Sequence, residues 1–342
     1  MKTEIFEKTD EFVLKKAADT IKSGGLVAFP TETVYGLGAS ALMEDAAKKV
    51  YAAKGRPSDN PLIIHLAEAS DAEKYCFASD AFYRLASAFM PGPLTVIMPK
   101  RDTIPYGVTG GLDTVAVRVP SHPIAHRLIE LSGCPIAAPS ANISGRPSCT
   151  SFNHVVEDMD GRIDMIIGGG ESEIGLESTI VSIVDADHLK LLRPGKITLE
   201  MLENEGFDVS VDKAVTEKLS DGEKPLAPGM KYRHYAPRAE VVLLSGDDEA
   251  VEKYMLSFAH DDSVAYICFN EYEKIKDLKN AKIVGGELDL EMQGRRIFEI
   301  LREFDTMPSV KTIFAKLPPK EGIGLAIYNR MLKAAGYRVI QL

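Results

Sequence analysis

The stretch Glu44-Asp-Ala-Ala-Lys-Lys-Val-Tyr-Ala-Ala-Lys-Gly-Arg-Pro-Ser-Asp-Asn-Pro-Leu-Ile-Ile-His-Leu66 decides the fold class. Glu44 to Ala53 reads as a helix, Lys54–Asn60 as a loop stiffened by proline, and Leu62 to Leu66 as a short apolar strand. A helix delivered into a strand by a short loop is the building unit of a layered α/β structure.

Working outward, the same alternation continues. Glu11 to Lys22 forms an amphipathic helix ended by Gly24-Gly25, and the strand Leu26–Phe29 runs into Pro30-Thr-Glu-Thr-Val-Tyr-Gly-Leu-Gly38. Further strands are expected at Leu94–Met98, Val115–Val119, Ile136–Ala138, Met165–Ile167, Thr179–Val184 and Leu189–Leu192. Helices are expected at Ala81–Phe89, Pro123–Leu131 and Phe152–Asp158. Near Asp212 the composition turns charged and weakly apolar, and Pro225 to Pro237 carries three prolines without periodicity. This divides the chain into a first domain over 1–210, a linker over 211–237 and a second domain over 238–342. The second domain has strands at Val241–Leu244, Val264–Phe269, Lys282–Val284 and Thr312–Ala315, separated by helices at Asp248–Phe258, Glu291–Phe304 and Ile323–Ala335. That order describes a small doubly wound, Rossmann-like α/β domain.

The 342-residue length is enough for about two cores. A net charge of -10 disfavours broad nucleic-acid binding, because an acidic chain repels phosphodiester backbones unless its cations are segregated. Cys76, Cys134, Cys149 and Cys268 are far apart with no C-x-x-C pair, so they point to neither a zinc site nor a disulfide framework. The N-terminus lacks the pattern of a signal peptide, and no apolar run is long enough to span a bilayer. The expected location is the cytoplasm.

The chain has no P-loop, no G-x-G-x-x-G after a strand, no H-E-x-x-H and no nucleophile elbow. Gly168-Gly-Gly170 reads as a glycine turn and Gly322-Ile-Gly324 as close helix packing. Polar residues instead gather at strand ends. Lys54, Arg56 and Asn60 in one stiff loop suit a polyphosphate, with Arg as a fork and Lys as a point charge, although a solvated loop has the same spacing. Each charged hydrogen bond of that kind is worth roughly 1.5–3 kcal/mol. Arg118, inside an apolar strand, is either paired with an anion or snorkelled to solvent, and the first reading is favoured. His65 lies within a strand, where a satisfied core histidine is the commoner outcome. Ser140-Ala-Asn142 and Glu177-Ser-Thr179 lie where ligands collect in open sheets, but Ser and Asn also form turns.

Taken in order, Phe29-Pro-Thr-Glu-Thr-Val-Tyr-Gly-Leu, Lys54-Gly-Arg-Pro-Ser-Asp-Asn-Pro-Leu, Pro91-Gly-Pro-Leu-Thr, Val117-Arg-Val-Pro, Ala138-Pro-Ser-Ala-Asn-Ile-Ser-Gly, Glu177-Ser-Thr-Ile and Leu192-Arg-Pro-Gly resemble the YrdC-like family of threonylcarbamoyl-AMP synthases. Pro228-Gly-Met-Lys-Tyr-Arg-His-Tyr-Ala-Pro237 and Gly322-Ile-Gly-Leu-Ala-Ile-Tyr-Asn-Arg-Met331 are similar to the linker and second domain of its long form. The resemblance implies a YrdC-like twisted mixed sheet with flanking helices, followed by the smaller domain. It also implies a reaction: L-threonine, bicarbonate and ATP, with Mg²⁺, give threonylcarbamoyl-AMP and pyrophosphate. The product serves threonylcarbamoyladenosine formation beside the anticodon of ANN-decoding tRNAs, through a separate transferase complex.

By the same resemblance, Lys54 and Arg56 are the catalytic cations and, with Asn60, grip the phosphates and the carbamate. Thr114, Ser140, Asn142, Ser148 and Arg193 contact nucleotide or carbamate, and His234 and Tyr235 reach back from the linker as part of a lid. Thr33, His65, Arg118, Ala138 and Ser178 form the threonine pocket, and no protein metal ligands are assigned. Direct tRNA binding is expected to be weak or absent. The rival readings are an RNA-binding module of the same fold without ATP turnover and a carbamoyl-transfer domain like those of hydrogenase maturation proteins, whose acylphosphatase and zinc-finger segments are missing here.

Overall fold

The structure, a computed structural model, describes residues 2–218, 225–228, 230 and 234–342. The chain divides into two compact units: Met1–Ser144 with Ser148–Lys231, and Gly145–Pro147 with Tyr232–Leu342.

The first unit is built on a mixed sheet that has eleven strands among the described residues. In chain order they are β1 (Glu4–Phe6), β2 (Val27–Phe29), β3 (Gly36–Ser40), β4 (Ile63–His65), β5 (Leu94–Pro99), β6 (Thr114–Arg118), β7 (Ile136–Ala137), β8 (Met165–Ile167), β9 (Thr179–Ile183), β10 (His188–Arg193) and β11 (Asp208–Val211). In space the order is β1-β8-β2-β3-β7-β4-β6-β5-β9-β10-β11. The central strands are short and almost wholly apolar because both faces of the sheet are covered. Helices α1 (Glu11–Lys22), α2 (Glu44–Lys54), α3 (Asp80–Phe89), α4 (Tyr106–Thr109), α5 (Pro123–Ser132), α6 (Phe152–Met159) and α7 (Leu199–Asn204) complete the layers. On α1, Asp10 caps the first turn by accepting from the Val13 N–H, and Val13, Leu14, Ala17, Ala18 and Ile21 pack with Leu128 and Ile129 of α5 over β2 and β8.

Three elements of this sheet are absent from the sequence reading. β1 is a partly exposed edge strand, β3 reads Gly-Leu-Gly-Ala-Ser, and β11 follows directly on a helix turn. β1 and β11 are short and mostly exposed, and β3 carries two glycines, so no apolar run marks them, and pairing with β8, β2, β7 and β10 is what makes them strands. Beyond β11, a 3₁₀ turn over Lys213–Val215 buries Ala214 and Val215 in the first unit.

The second unit has a parallel sheet of β12 (Glu240–Ser245), β13 (Val264–Phe269), β14 (Ala281–Gly285), β15 (Thr312–Lys316) and β16 (Val339–Gln341), in the order β14-β13-β15-β12-β16 among the described residues. Helices α8 (Asp248–Leu256), α9 (Leu290–Asp305) and α10 (Gly322–Ala334) make its crossovers. β16 is the one strand of this unit that the sequence reading does not contain. The fold is therefore the expected one: a large mixed α/β sheet followed by a smaller parallel α/β unit.

Candidate active site

The loop Lys54–Asn60 owes its shape to its glycine. Gly55 adopts φ +61°, the left-handed conformation that ends α2, and the Arg56 N–H reaches back to the Tyr51 carbonyl at 2.9 Å. This cap turns the chain so that Lys54 closes the helix while Arg56 folds over the following residues. Both side chains are buried, which removes the solvated-loop reading. Lys54 Nζ donates to the Ser140 carbonyl at 2.5 Å and to the Asn142 carbonyl. Arg56 donates from Nε to the Asn60 carbonyl at 3.3 Å and from Nη2 to the Pro61 carbonyl at 3.1 Å. Asn60 is buried, and its Oδ1 has no hydrogen-bond partner.

The sheet register connects this loop to the other candidate residues. β4 leaves the loop and runs parallel to β6, pairing Ile63 with Ala116 and His65 with Arg118. On its other side β4 pairs antiparallel with β7, so the chain after β7 returns towards the loop, and the Ala138 N–H donates to the Ile63 carbonyl at 2.9 Å. Thr114 thus lies at the loop end of the β4–β6 strip, whereas His65 and Arg118 lie at the opposite end. Four residues of strand separate Thr114 from Arg118, about 13 Å. At the loop end, Ser140 Oγ donates to Asn142 Oδ1, and Asn142 Nδ2 donates to the Ile143 carbonyl at 2.8 Å.

The far end is a row of buried polar groups. Arg118 pairs in register with Thr95, whose Oγ1 is 2.8 Å from Ser178 Oγ. Arg193 donates from Nη2 to the same Ser178 hydroxyl at 3.1 Å and from Nε to the Ser178 carbonyl at 3.0 Å. Ser148 donates to Glu177, beside Ser178. Ser148 and Arg193, expected on nucleotide or carbamate, therefore stand on the Arg118 side of the sheet. Thr33 is fully buried, with its hydroxyl 2.8 Å from that of Thr31.

Two further features of this end were not read from the sequence. First, Glu32 faces Arg118: Nη2 lies 2.7 Å from Oε1, with both side chains 5% exposed. This is a close ion-pair approach without full hydrogen-bond alignment at either Glu32 oxygen or at Arg118 Nη2. Burial opposes ionisation of Glu32 most strongly, but the Arg118 charge, together with the Arg118 guanidinium and the backbone N–H groups of Glu32 and Ser121 as nearby donors, outweighs it and holds the carboxyl below its usual range. The only signal in the sequence is an acidic residue at the end of an apolar strand. Second, His65 is pushed down to about 3, by burial first and then by the Arg118 charge. It is therefore neutral at physiological pH. Its Nδ1 lies 3.2 Å from the Ile63 carbonyl and 3.3 Å from the Ile136 carbonyl, so the network assigns the proton to Nδ1 and leaves Nε2 as an acceptor.

The Gly168–Gly170 turn is a packing device, as its sequence suggested. A Cβ on Gly168 would lie 2.2 Å from the Glu7 carbonyl oxygen, and Tyr35 braces the turn by donating to the Gly170 carbonyl at 2.7 Å. His234 and Tyr235 fall in the second unit, where the Tyr235 ring stacks on Phe298 at 5.1 Å between centroids. Among the described residues, no group of three or more His, Cys, Asp or Glu side chains is placed to hold a metal ion. No helix among them is long and apolar enough to cross a membrane.

An α/β sheet that gathers buried cations and unpartnered acceptors along one strip of paired strands defines a protein that handles anionic, polar ligands. Residues 19–195 match the Sua5/YciO/YrdC family, described as telomere recombination, and residues 197–336 match the C-terminal domain of threonylcarbamoyl-AMP synthase. The threonylcarbamoyl-AMP synthase of Pyrococcus abyssi is 46% identical over 342 residues, covering 98% of this chain and 98% of that one. The Bacillus subtilis threonylcarbamoyl-AMP synthase is 45% identical, covering 97% and 96%. A crystal structure of P. abyssi Sua5 complexed with L-threonine agrees with this fold at a TM-score of 0.90 and 45% identity, over 100% of this chain and 99% of that one. The chain belongs to the threonylcarbamoyl-AMP synthase family, enzymes of the nucleotidyl-transferring kind.

Proposed function

We propose that this protein makes L-threonylcarbamoyl-AMP from L-threonine, bicarbonate and ATP, releasing pyrophosphate. The observation that carries the reading is the β4–β6 strip, with Lys54 and Arg56 at one end and Arg118 at the other. The threonine complex of the P. abyssi relative supports an amino-acid site. Arg118 offers a planar fork matched to the threonine carboxylate, neutral His65 an acceptor for its hydroxyl, and Thr33, Ala138 and Ser178 the walls. Lys54, Arg56 and Asn60 take the phosphates and carbamate, with Thr114, Ser140 and Asn142 on the nucleotide. Ser148 and Arg193 lie beside Ser178, where carbamate and amino acid would meet.

In the chemistry that follows, the threonine amine captures bicarbonate to give an N-carboxylate and water. That carboxylate oxygen attacks the α-phosphorus of ATP, and the bond to the leaving pyrophosphate breaks. Such a transfer needs alignment and neutralisation of charge more than a covalent catalyst. Buried cations supply both, so the reading calls for no covalent Ser or Cys nucleophile. The described residues offer no protein cage for Mg²⁺, so no step is assigned to it. The reading carries with it a cytoplasmic enzyme that hands its product to a tRNA-modifying transferase complex, and a linker over 211–237.

The test is pyrophosphate release from ATP, with threonine and bicarbonate each omitted in turn. Release should require both. Release that ignores threonine would overturn the proposal, and salt-sensitive RNA binding without turnover would favour the RNA-binding alternative.

A further inference from the structure

Glu32 is the one buried carboxylate against Arg118 among the described residues, and its position is costly as it stands. An ionised carboxylate has about four acceptor positions and loses much free energy when buried without donors. The donors near it, the Arg118 guanidinium and the backbone N–H groups of Glu32 and Ser121, favour its ionised form, but none of them meets a Glu32 oxygen with full hydrogen-bond alignment. The other titratable groups that face it do not repair this. His65 is held neutral by burial and by Arg118, and burial likewise lowers His122, which caps α5 through its own Nδ1. Within this unit Arg118 and Glu32 therefore set one positive and one negative charge side by side in a buried setting, without full hydrogen-bond alignment between them. A free α-amino acid at neutral pH carries the same two charges in the opposite sense.

We propose that Glu32 is a specificity residue that takes the α-ammonium of the amino-acid substrate while Arg118 takes its carboxylate. The assignment rests on the reading of this pocket as a threonine site. Glu32 thereby selects an amino acid over a hydroxy acid or a simple carboxylate, and it fixes the nitrogen that is to be carboxylated. Carboxylation needs the nitrogen lone pair, so the ammonium first releases one proton to solvent. The free amine then forms the C–N bond to bicarbonate while hydroxide leaves and takes an N–H proton as water. The ammonium's attraction to Glu32 is lost with the first proton, so the N-carboxylate is freed to turn towards the Lys54 end. Glu32 acts by positioning and needs no net proton of its own.

The experiment compares L-threonine with 3-hydroxybutanoate, which keeps the carboxylate and hydroxyl but has no ammonium. Affinities of the full chain are read by ligand-observed NMR, which reaches millimolar binding. In Glu32→Gln, threonine should weaken by about 10-fold or more, while 3-hydroxybutanoate changes by less than about 3-fold. Equal weakening of both ligands would overturn the proposal and leave Glu32 as a structural partner of Arg118. If Glu32→Gln does not fold, Glu32→Asp keeps the charge but withdraws it by one methylene, and the same unequal loss is required of it. A wild-type protein that binds neither ligand would instead remove the threonine-site reading itself, which separates the two failures.

Discussion

Both units of this protein set a cation at the end of a central strand, and the two cations are treated differently. In the second unit Lys316 closes β15 and reaches Asp248 at 2.8 Å and Glu287 at 2.6 Å, while Asp248 also accepts from the Tyr272 hydroxyl. Its ammonium donates to two half-exposed carboxylates, an arrangement that suffices to tie β15 to its neighbours. In the first unit Arg118 closes β6 against a single carboxylate without full hydrogen-bond alignment, in a setting that water barely reaches. A satisfied, solvent-touching network stabilises a fold modestly. A dry pair with unmet hydrogen bonds costs stability that the rest of the sheet has to offset, and such outlays gather where a ligand will complete the network. On the proposed function, the difference is that between a charge that braces the fold and one held ready for a ligand.

The largest expected effect lies at the loop end of the first unit. Lys54→Ala and Arg56→Ala, made separately, should each lower turnover by about 100-fold or more, since fixed charges at a transferring phosphorus carry much of the rate. Thermal melting should show a folded protein, with a loss of about 1–3 kcal/mol for the carbonyls left without a donor. Near-normal turnover in both variants would break the distinction at its strongest point.

An intermediate effect concerns acid. His65 has its folded value near 3 against an ordinary 6.5, so between those limits the unfolded chain binds a proton that the folded chain refuses. Its contribution to stability is complete above about pH 6.5 and is lost progressively as pH falls towards 3. The melting temperature of the wild type should therefore drop further between pH 7 and pH 4.5 than that of His65→Asn, which keeps a donor for the two carbonyls. Parallel curves for the two proteins would show that the histidine is not dry.

The smallest effect sharpens the comparison from the other side. Lys316→Met should cost about 1 kcal/mol or less, read by urea unfolding, and leave pyrophosphate release unchanged. A loss of turnover there would mean that the second unit's charged network is more than a brace.

Much of this was legible in the chain itself. The helices α1, α2, α3, α5 and α6 follow from apolar spacing with capping and stop residues, and the strands rich in Val, Ile and Leu from unbroken apolar runs. Lys54, Arg56 and Asn60 stood out because two cations and an amide were held in a loop stiffened by proline. These are local properties, fixed by residues a few positions apart. What escaped depends on distant neighbours. β3, with two glycines in five residues, is a strand only because β2 and β7 flank it. Lys54 meets its carbonyls 86 and 88 residues further on. His65 is neutral because strands on both sides bury it and place Arg118 beside it.

Sequence by itself determined the alternation of helix and strand, the two-domain plan and the chemical types available at the strand ends. Only the tertiary structure decided which of those groups are dry, which are paired and which are left wanting a partner. Glu32 and Arg118 show why: desolvation and charge pairing are set by whatever the sheet brings within a few ångströms, and strand pairing joins residues with no regard to their distance along the chain.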